Sequence, residues 1–465
     1  MTKIVIIGGG PAGYESALVA ASYGAEVTVI DADGIGGACV LWDCVPSKTF
    51  IASTGVRTDV RRAAALGITL NDQHTADSLH RVNRRVKDLA YAQSADIRAK
   101  LLDEGVRVIH GKGSMADSRP GLMHRVRAVD VDGTEEVMDA DVVLICTGAS
   151  PRVLPSAVPD GERILNWRHL YDLDQAPEHL VVVGSGVTGA EFVHAYTELG
   201  VKVTMVSSRD RVLPGEDEDA ALVLEEALAE RGVTLVKHAR ADRVERTADG
   251  VIVYLADGRT VEGSHALMTV GSVPNTADLG LERAGLELDN GYLRVDRVSR
   301  TAVPGIYAAG DCTGLLPLAS VAAMQGRIAI YHALGEGVSP IKLKTVASAI
   351  FTRPEIATVG VSQQAIDAGE YPARTVMLPL ATNPRAKMMG LRRGFVKIFC
   401  RPQTGVIIGG VVVSPQASEQ ILPIAIAVQN RLTVGDLAQT LSVYPSMSGS
   451  VIEAARQLVR HDDLD

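Results

Sequence analysis

One pattern occurs twice in this chain, and it allows few folds. Residues 4–13 read IVIIGGGPAG and residues 180–189 read LVVVGSGVTG. Each is a β-branched run that ends in GxGxxG and leads into a small-residue helical pattern, YESALVAASYG or AEFVHAYTELG. Each then closes on an alternating strand, AEVTVID at 25–31 and VKVTMVS at 201–207. The interval is the same in both, with 23 positions from Gly8 to Asp31 and 23 from Gly184 to Ser207. A lone GxGxxG is a common turn. Framed by strand, helix and second strand at this distance, it is the dinucleotide-binding βαβ unit. Gly8 and Gly184 permit the tight turn, Gly10 and Gly186 let the backbone reach a pyrophosphate, and Gly13 and Gly189 let helix pack on strand. The diphosphate then sits at a helix N-terminus, where free N–H groups and the dipole favour negative charge. Two dinucleotides are expected.

The two ligands should differ. Asp31 ends the first unit, where a carboxylate accepts ribose hydroxyls. Ser207 stands at the matching place in the second, followed by Ser208 and Arg209. A carboxylate there would repel a 2′-phosphate, whereas Ser and Arg hydrogen-bond and neutralise one. NADPH is therefore expected in the second site, with NADH as the other candidate.

Composition bounds the rest. At about 150 residues per domain, 465 residues suggest three domains. The chain is 46% apolar and 22% charged, an ordinary globular balance. No stretch approaches the ~18 apolar residues of a membrane helix, and no basic-then-apolar leader opens the sequence, so a cytoplasmic address is expected. The net charge of −9, with no Lys/Arg run longer than two, argues against nucleic acid as a partner. Five cysteines do not make a secreted disulfide framework. Cys146, Cys312 and Cys400 sit in apolar or small-residue stretches and read as buried thiols. Cys39 and Cys44, five apart, read as a catalytic or metal-binding pair rather than a staple in a reducing compartment. No second Cys or His cluster completes a metal site.

The segment GIGGACVLWDCVPSKTF at 34–50 resembles an element of the flavoprotein disulfide reductases, the relatives of lipoamide dehydrogenase, glutathione reductase and mercuric reductase. The likeness covers nearly the whole length. It includes the GGxC-x4-C-xPSK element (Gly36, Gly37, Cys39, Cys44, Pro46, Ser47, Lys48) and a CTG in place of ATG (Cys146, Thr147, Gly148). It continues in the GD of GIYAAGDC (Gly310, Asp311) and in FTRPEIATVG at 351–360. The resemblance implies an α/β fold with two dinucleotide-binding, Rossmann-like domains, one inserted in the other, and a C-terminal α+β dimerisation domain. An FAD domain would span 1–150 and 272–338, an NAD(P)H domain 151–271, and the dimerisation domain 339–465.

It also implies roles. Cys44 would be the charge-transfer thiol against the flavin and Cys39 the outer, interchange thiol. Lys48 would sit near flavin N5, paired with Glu191, and stabilise the negative charge of the reduced ring. FAD would further be held by Ala38, Lys112, Gly113, Thr147, Gly148, Asp311 and Ala319. The nucleotide would be held by Val187, Glu191 and Gly271 beside the glycines and Ser207–Arg209.

The sequence departs from the family at one decisive point. Disulfide reductases use a His backed by a Glu, in a pattern close to HPTxxE, for acid–base work at the outer thiol. Here LSVYPSMSGSVIEAAR at 441–456 puts Tyr444 at the His place and Gly449 at the Glu place. A phenol titrating near 10 instead of an imidazole near 6.5 would cost a tyrosinate base about 5 kcal/mol at neutral pH. Such catalysis is itself worth about 10²- to 10⁴-fold. No local residue replaces it, and the nearest downstream histidine, His461, lies in a polar tail. Asp43, where the family usually has Gly, puts a like charge beside the inner thiolate. VGSVPN at 270–275 has Ser272 where an arginine is usual, and Arg353, Asn383 and Arg385 read as solvated loop positions.

The expected activity is therefore NAD(P)H oxidation by a homodimeric FAD enzyme with a quinone or similar small acceptor, and poor disulfide reduction. A lipoamide dehydrogenase using Cys39–Cys44, with Tyr444 or water as acid–base, is the first alternative. A catalytically quiet flavoprotein subunit is the second.

Overall fold

The computed structural model describes residues 1–68, 79–117 and 123–459; His461 lies outside them. The chain divides into two compact units. One comprises Met1–Thr49, Arg81–Arg152 and Gly271–Ile341, and the other comprises Phe50–His80, Val153–Val270 and Lys342–Asp465.

The first unit is built on a seven-stranded sheet. Its order is Ile306–Ala308, Val142–Ile145, Lys3–Ile7, Glu26–Asp31, Arg107–Met115, His124–Asp130, Glu135–Ala140. The first five strands run parallel and the last two antiparallel. Lys3–Ile7 (KIVII) and Val142–Ile145 (VVLI) carry apolar runs because both of their faces are covered. Ile4, Ile6, Val27, Val29 and Leu144 pack under the helices Pro11–Ser22 and Ala319–Ala333. Val5, Ile7, Ile30, Val143 and Ile145 pack on the opposite face against Met115, Val126 and Leu279. The two helices meet at Gly326, where a Cβ would lie 2.5 Å from the Ala12 carbonyl oxygen. The strand order reverses on either side of Lys3–Ile7, so a crevice opens at that strand's carboxyl end, as doubly wound sheets require of a ligand site.

The second unit repeats the parallel scheme. Its five strands lie in the order Thr234–Val236, Lys202–Val206, His179–Val183, His265–Met268, Ile164–Leu165, and all their pairings are parallel. An antiparallel sheet of Ala241–Arg246, Val251–Leu255 and Thr260–Gly263 shares its core through Val181, Val183, Val253 and Ala266. A separate five-stranded antiparallel sheet runs Ala347–Ile350, Glu355–Gly360, Ile407–Ser414, Phe395–Cys400, Arg374–Pro379. Helices Leu422–Asn430 and Gly449–Leu458 cover it through Ile424, Ala427, Val451 and Ala454. Lys397 of this sheet is buried, and its ammonium meets Asp217 at 2.8 Å and Asp219 at 2.6 Å.

Among the described residues no helix is long and apolar enough to cross a membrane. No group of three or more His, Cys, Asp or Glu among them could hold a metal ion. Cys146, Cys312 and Cys400 are buried, as their neighbours in sequence suggest.

Candidate active site

The glycines of the first cradle answer to contacts the backbone could not otherwise make. Gly8 has φ +109°, and a Cβ there would stand 2.2 Å from the Cys146 carbonyl oxygen. A Cβ on Gly13 would stand 1.9 Å from the Gly8 oxygen. Gly10, by contrast, faces open space, with nothing within 4 Å of such an atom. It caps the helix Pro11–Ser22 without any side-chain hydrogen bond, and Pro11 begins the helix. The first-turn amides are thus left for a ligand.

Asp31 shapes this cradle. Its Oδ2 accepts from Gly9 N at 2.5 Å, and its Oδ1 accepts from Asp33 N at 2.9 Å and Gly34 N at 2.6 Å. A carboxylate offers about four acceptor positions, so one remains for a ribose hydroxyl. Burial pushes the carboxyl above its ordinary pKa, and the three amides oppose that rise.

The cysteine segment is folded onto the same loop. Gly36 N donates to Gly9 O at 2.8 Å, and a Cβ on Gly37 (φ +56°) would lie 2.8 Å from Gly10 Cα. Gly36, Gly37 and Ala38 therefore border the phosphate cradle. Trp42 N and Asp43 N both donate to Ala38 O, at 2.9 and 2.7 Å. That turn brings Cys39, in the short helix Gly37–Leu41, within hydrogen-bonding reach of Cys44, the first residue of the helix Cys44–Arg62. The shared S–H bond pulls Cys39 below the usual thiol range. The same bond, burial and the Asp43 charge push Cys44 far above it, against the opposing pull of Lys48 one turn along. One thiolate on this pair is supported; a second is strongly opposed.

Asp311 starts a turn at the end of the strand Ile306–Ala308. Burial, and then the charge of Asp43, pushes its carboxyl up to about 6. A buried carboxylate in this state gains from a hydroxyl donor, which the ribityl chain of a bound FAD would supply. Gln325 and Asn275, which the sequence did not single out, complete the wall. Gln325 Oε1 accepts from Gly310 N at 3.0 Å, while Asn275 Nδ2 donates to Thr147 O at 2.9 Å and Asn275 N donates to Gly148 O at 2.9 Å. Lys112 and Gly113 lie on the strand Arg107–Met115, where Gly113 abuts Ile7 and Ile30, and Ala319 opens the helix Ala319–Ala333. The residues present fit FAD.

The second cradle has the same construction. A Cβ on Gly184 (φ +116°) would stand 2.4 Å from Thr269 O, and one on Gly189 would stand 2.2 Å from Gly184 O. Gly186 is open and caps the helix Val187–Glu198, again without a side-chain bond. Val187 is exposed at its mouth, and Gly271 (φ +93°) faces open space. Ser207 departs from the expected role. It is buried, its hydroxyl is 2.7 Å from that of Ser185, and it accepts from Arg209 N at 3.0 Å. Ser185 in turn donates to Arg211 O at 3.4 Å, so the Ser207 proton is used within the loop. Ser208 and Arg209, next along the chain, are both exposed. The residues fit a pyridine nucleotide.

Glu191 is buried, and its Oε1 accepts from Phe351 N at 2.9 Å. Lys48 belongs to the first unit and Glu191 to the second. Tyr444, joined to Pro445 by a cis peptide, is 82% exposed between the exposed Leu441 and Val443 and the helix that starts at Gly449. Asn383 is not a solvated loop residue. Its Oδ1 caps the helix Pro384–Met388 by accepting from Arg385 N and Ala386 N, and its Nδ2 reaches Ser450 Oγ at 2.6 Å. Arg353 likewise lies in a network of ion pairs rather than in solvent.

Compared with known proteins, residues 2–326 match the pyridine nucleotide-disulphide oxidoreductase family, and residues 346–455 match that family's dimerisation domain. The chain is 70% identical to an NAD(P)H dehydrogenase (quinone) of Mycobacterium tuberculosis, over all of this chain and 95% of that protein. It is 30% identical to the dihydrolipoyl dehydrogenase of Chlorobaculum parvum, over 97% of this chain and 96% of that one. The crystal structure of LpdA from Mycobacterium tuberculosis superposes with a TM-score of 0.95 at 69% identity, covering 99% of this chain and all of that one. Two glycine cradles, a vicinal thiol turn and full-length likeness converge: the chain is an oxidoreductase of the pyridine nucleotide-disulphide oxidoreductase family, with FAD and a pyridine nucleotide as cofactors.

Proposed function

We propose that this chain is a homodimeric FAD enzyme that oxidises NADPH and passes the electrons to quinones or similar small diffusible acceptors. One observation carries the reading: both nucleotide cradles are intact, while the position of the disulfide reductases' acid–base pair holds an exposed tyrosine and a glycine. The 70% identity to a protein named for quinone reduction supports it. FAD supplies a two-electron acceptor that can also release electrons singly. Within the protein, Ser208 and Arg209 select the 2′-phosphate, Lys48 opposes the negative charge of the reduced ring, and the buried Glu191 orients the nicotinamide. A quinone needs no proton delivered at sulfur, so the tyrosine at position 444 is no handicap.

In this scheme FAD occupies 1–150 and 272–338, the nucleotide 151–271, and 339–465 pairs two copies. The odd cysteine count suits a cytoplasmic address. The thiol turn and the dihydrolipoyl dehydrogenase relatives favour a second reading, disulfide reduction through Cys39 and Cys44.

Steady-state NADPH oxidation by the FAD-loaded protein, with menadione and lipoamide as parallel acceptors, separates the two. Rapid quinone turnover with negligible lipoamide turnover is expected. Comparable lipoamide turnover would overturn the proposal. Tyr444→His with Gly449→Glu should raise lipoamide turnover if the missing pair is the cause.

A further inference from the structure

The helix Val187–Glu198 buries two carboxylic acids and an imidazole, Glu191, His194 and Glu198, spaced i, i+3 and i+7 on one face. All three engage the segment Phe351–Pro354 or the arginine beside it. Phe351 N donates to Glu191 Oε1 at 2.9 Å. Two residues on, Arg353 O accepts from Arg231 Nη2 at 2.8 Å, and the Arg353 guanidinium lies 2.6 Å from Asp59 and 3.6 Å from Glu198. Arg231 Nη1 is 2.7 Å from His194 Nδ1. Arginine only donates, so Nδ1 accepts and neutral His194 carries its proton on Nε2, which faces Glu198 at 3.6 Å. Burial, with Arg231 and Arg353 nearby, holds the imidazole in that neutral form.

The segment is tied internally too, by Thr352 Oγ1 donating to Pro354 O at 2.7 Å. Gly55 leaves room for it, since a Cβ there would come within 2.9 Å of Arg353 Nη2. Burying so many charges is costly, and packing alone would be served as well by apolar side chains. What the charges add is a fixed geometry, and that geometry ends on the Glu191 carboxylate, which the Phe351 amide meets at 2.9 Å.

We propose that Arg353, Glu198 and His194 are positioning residues for hydride transfer, acting through the strap Phe351–Pro354 to fix the carboxylate of Glu191. The proposal rests on the reading of Glu191 at the nicotinamide given above. One oxygen is held by the Phe351 amide, so the strap helps to set where the carboxylate lies. A strap freed from Arg353 lets both move.

The test uses the full FAD-loaded protein, with flavin bleaching by NADPH followed by rapid mixing. Exchange of the Phe351 amide is measured separately in the flavin-free protein. Glu191→Gln should slow bleaching about tenfold, and Arg353→Met should do nearly the same while leaving the NADPH dissociation constant within about twofold. The double variant should be no slower than Glu191→Gln alone, because both act through one group. Arg353→Lys should recover most of the rate, and Arg353→Met should speed Phe351 exchange about tenfold. Should Arg353→Met not fold, Glu198→Gln is held to the same criteria.

Slow bleaching in Glu191→Gln with normal bleaching in the strap variants, or losses that multiply in the double variant, would overturn the strap while leaving the site intact. Normal bleaching in Glu191→Gln would instead remove Glu191 from the site, and the strap's role with it.

Discussion

The two nucleotide cradles share a backbone and differ in charge. In both, the first and last glycines sit where a Cβ would collide with a carbonyl oxygen, and the middle glycine faces open space. In both, the residue 23 positions on is buried and braces its own loop, Asp31 through three amides and Ser207 through Ser185 and Arg209. The first cradle thereby acquires a carboxylate, with a second at Asp311. The second cradle has none there and exposes an arginine. The lesson is that the end of the second strand serves loop geometry first, which leaves one acceptor position on Asp31, no free proton on Ser207 and an exposed Arg209 beside it.

The largest effects should come from the shared backbone. Gly13→Ala should yield protein without flavin absorbance. Gly189→Ala should keep the flavin and lose NADPH binding, because a methyl at either site meets a carbonyl oxygen closer than any van der Waals contact. If either variant lost both ligands, the cradles would not be independent.

The charge difference sharpens next. An Asp311 carboxyl raised to about 6 means that the folded protein binds a proton the unfolded chain releases near 3.9. Its contribution to stability is full below that value and is lost as pH rises through about 6, with an amplitude of about 3 kcal/mol. Denaturant titration of the flavin-free protein from pH 4 to 7 should show this decline, and Asp311→Asn should flatten it. A slope unchanged by Asp311→Asn would place the burden on another group.

The smallest effect belongs to selection. Arg209→Ala should weaken NADPH by about tenfold relative to NADH, the worth of one charge-assisted contact, as read by fluorescence titration. Equal weakening of both nucleotides would take the 2′-phosphate away from Arg209.

Much of this was legible in the sequence. The twin GxGxxG units, their equal spacing and the unbroken apolar strands follow from local rules, because turns, helix starts and doubly covered strands each leave a pattern within some thirty residues. The two cysteines were legible for the same reason, since the turn that joins them spans six positions. What was not legible lies between distant segments. Asn275 bonding to Thr147, Gln325 to Gly310, and Phe351 to Glu191 all use backbone groups, which every residue possesses, so no residue type marks them. Arg353 read as solvated because its partners, Asp59, Glu198 and Arg231, come from three separate parts of the chain. Ser207 read as a phosphate donor because its own loop's claim on the hydroxyl cannot be seen without the turn.

Gly37 rests against Gly10, and Gly36 is bonded to Gly9. The stretch that carries the thiols is thus the back wall of the phosphate loop. A substitution there cannot be tuned for one purpose alone: a shift that reshapes the thiol turn also reshapes the anchorage of the flavin.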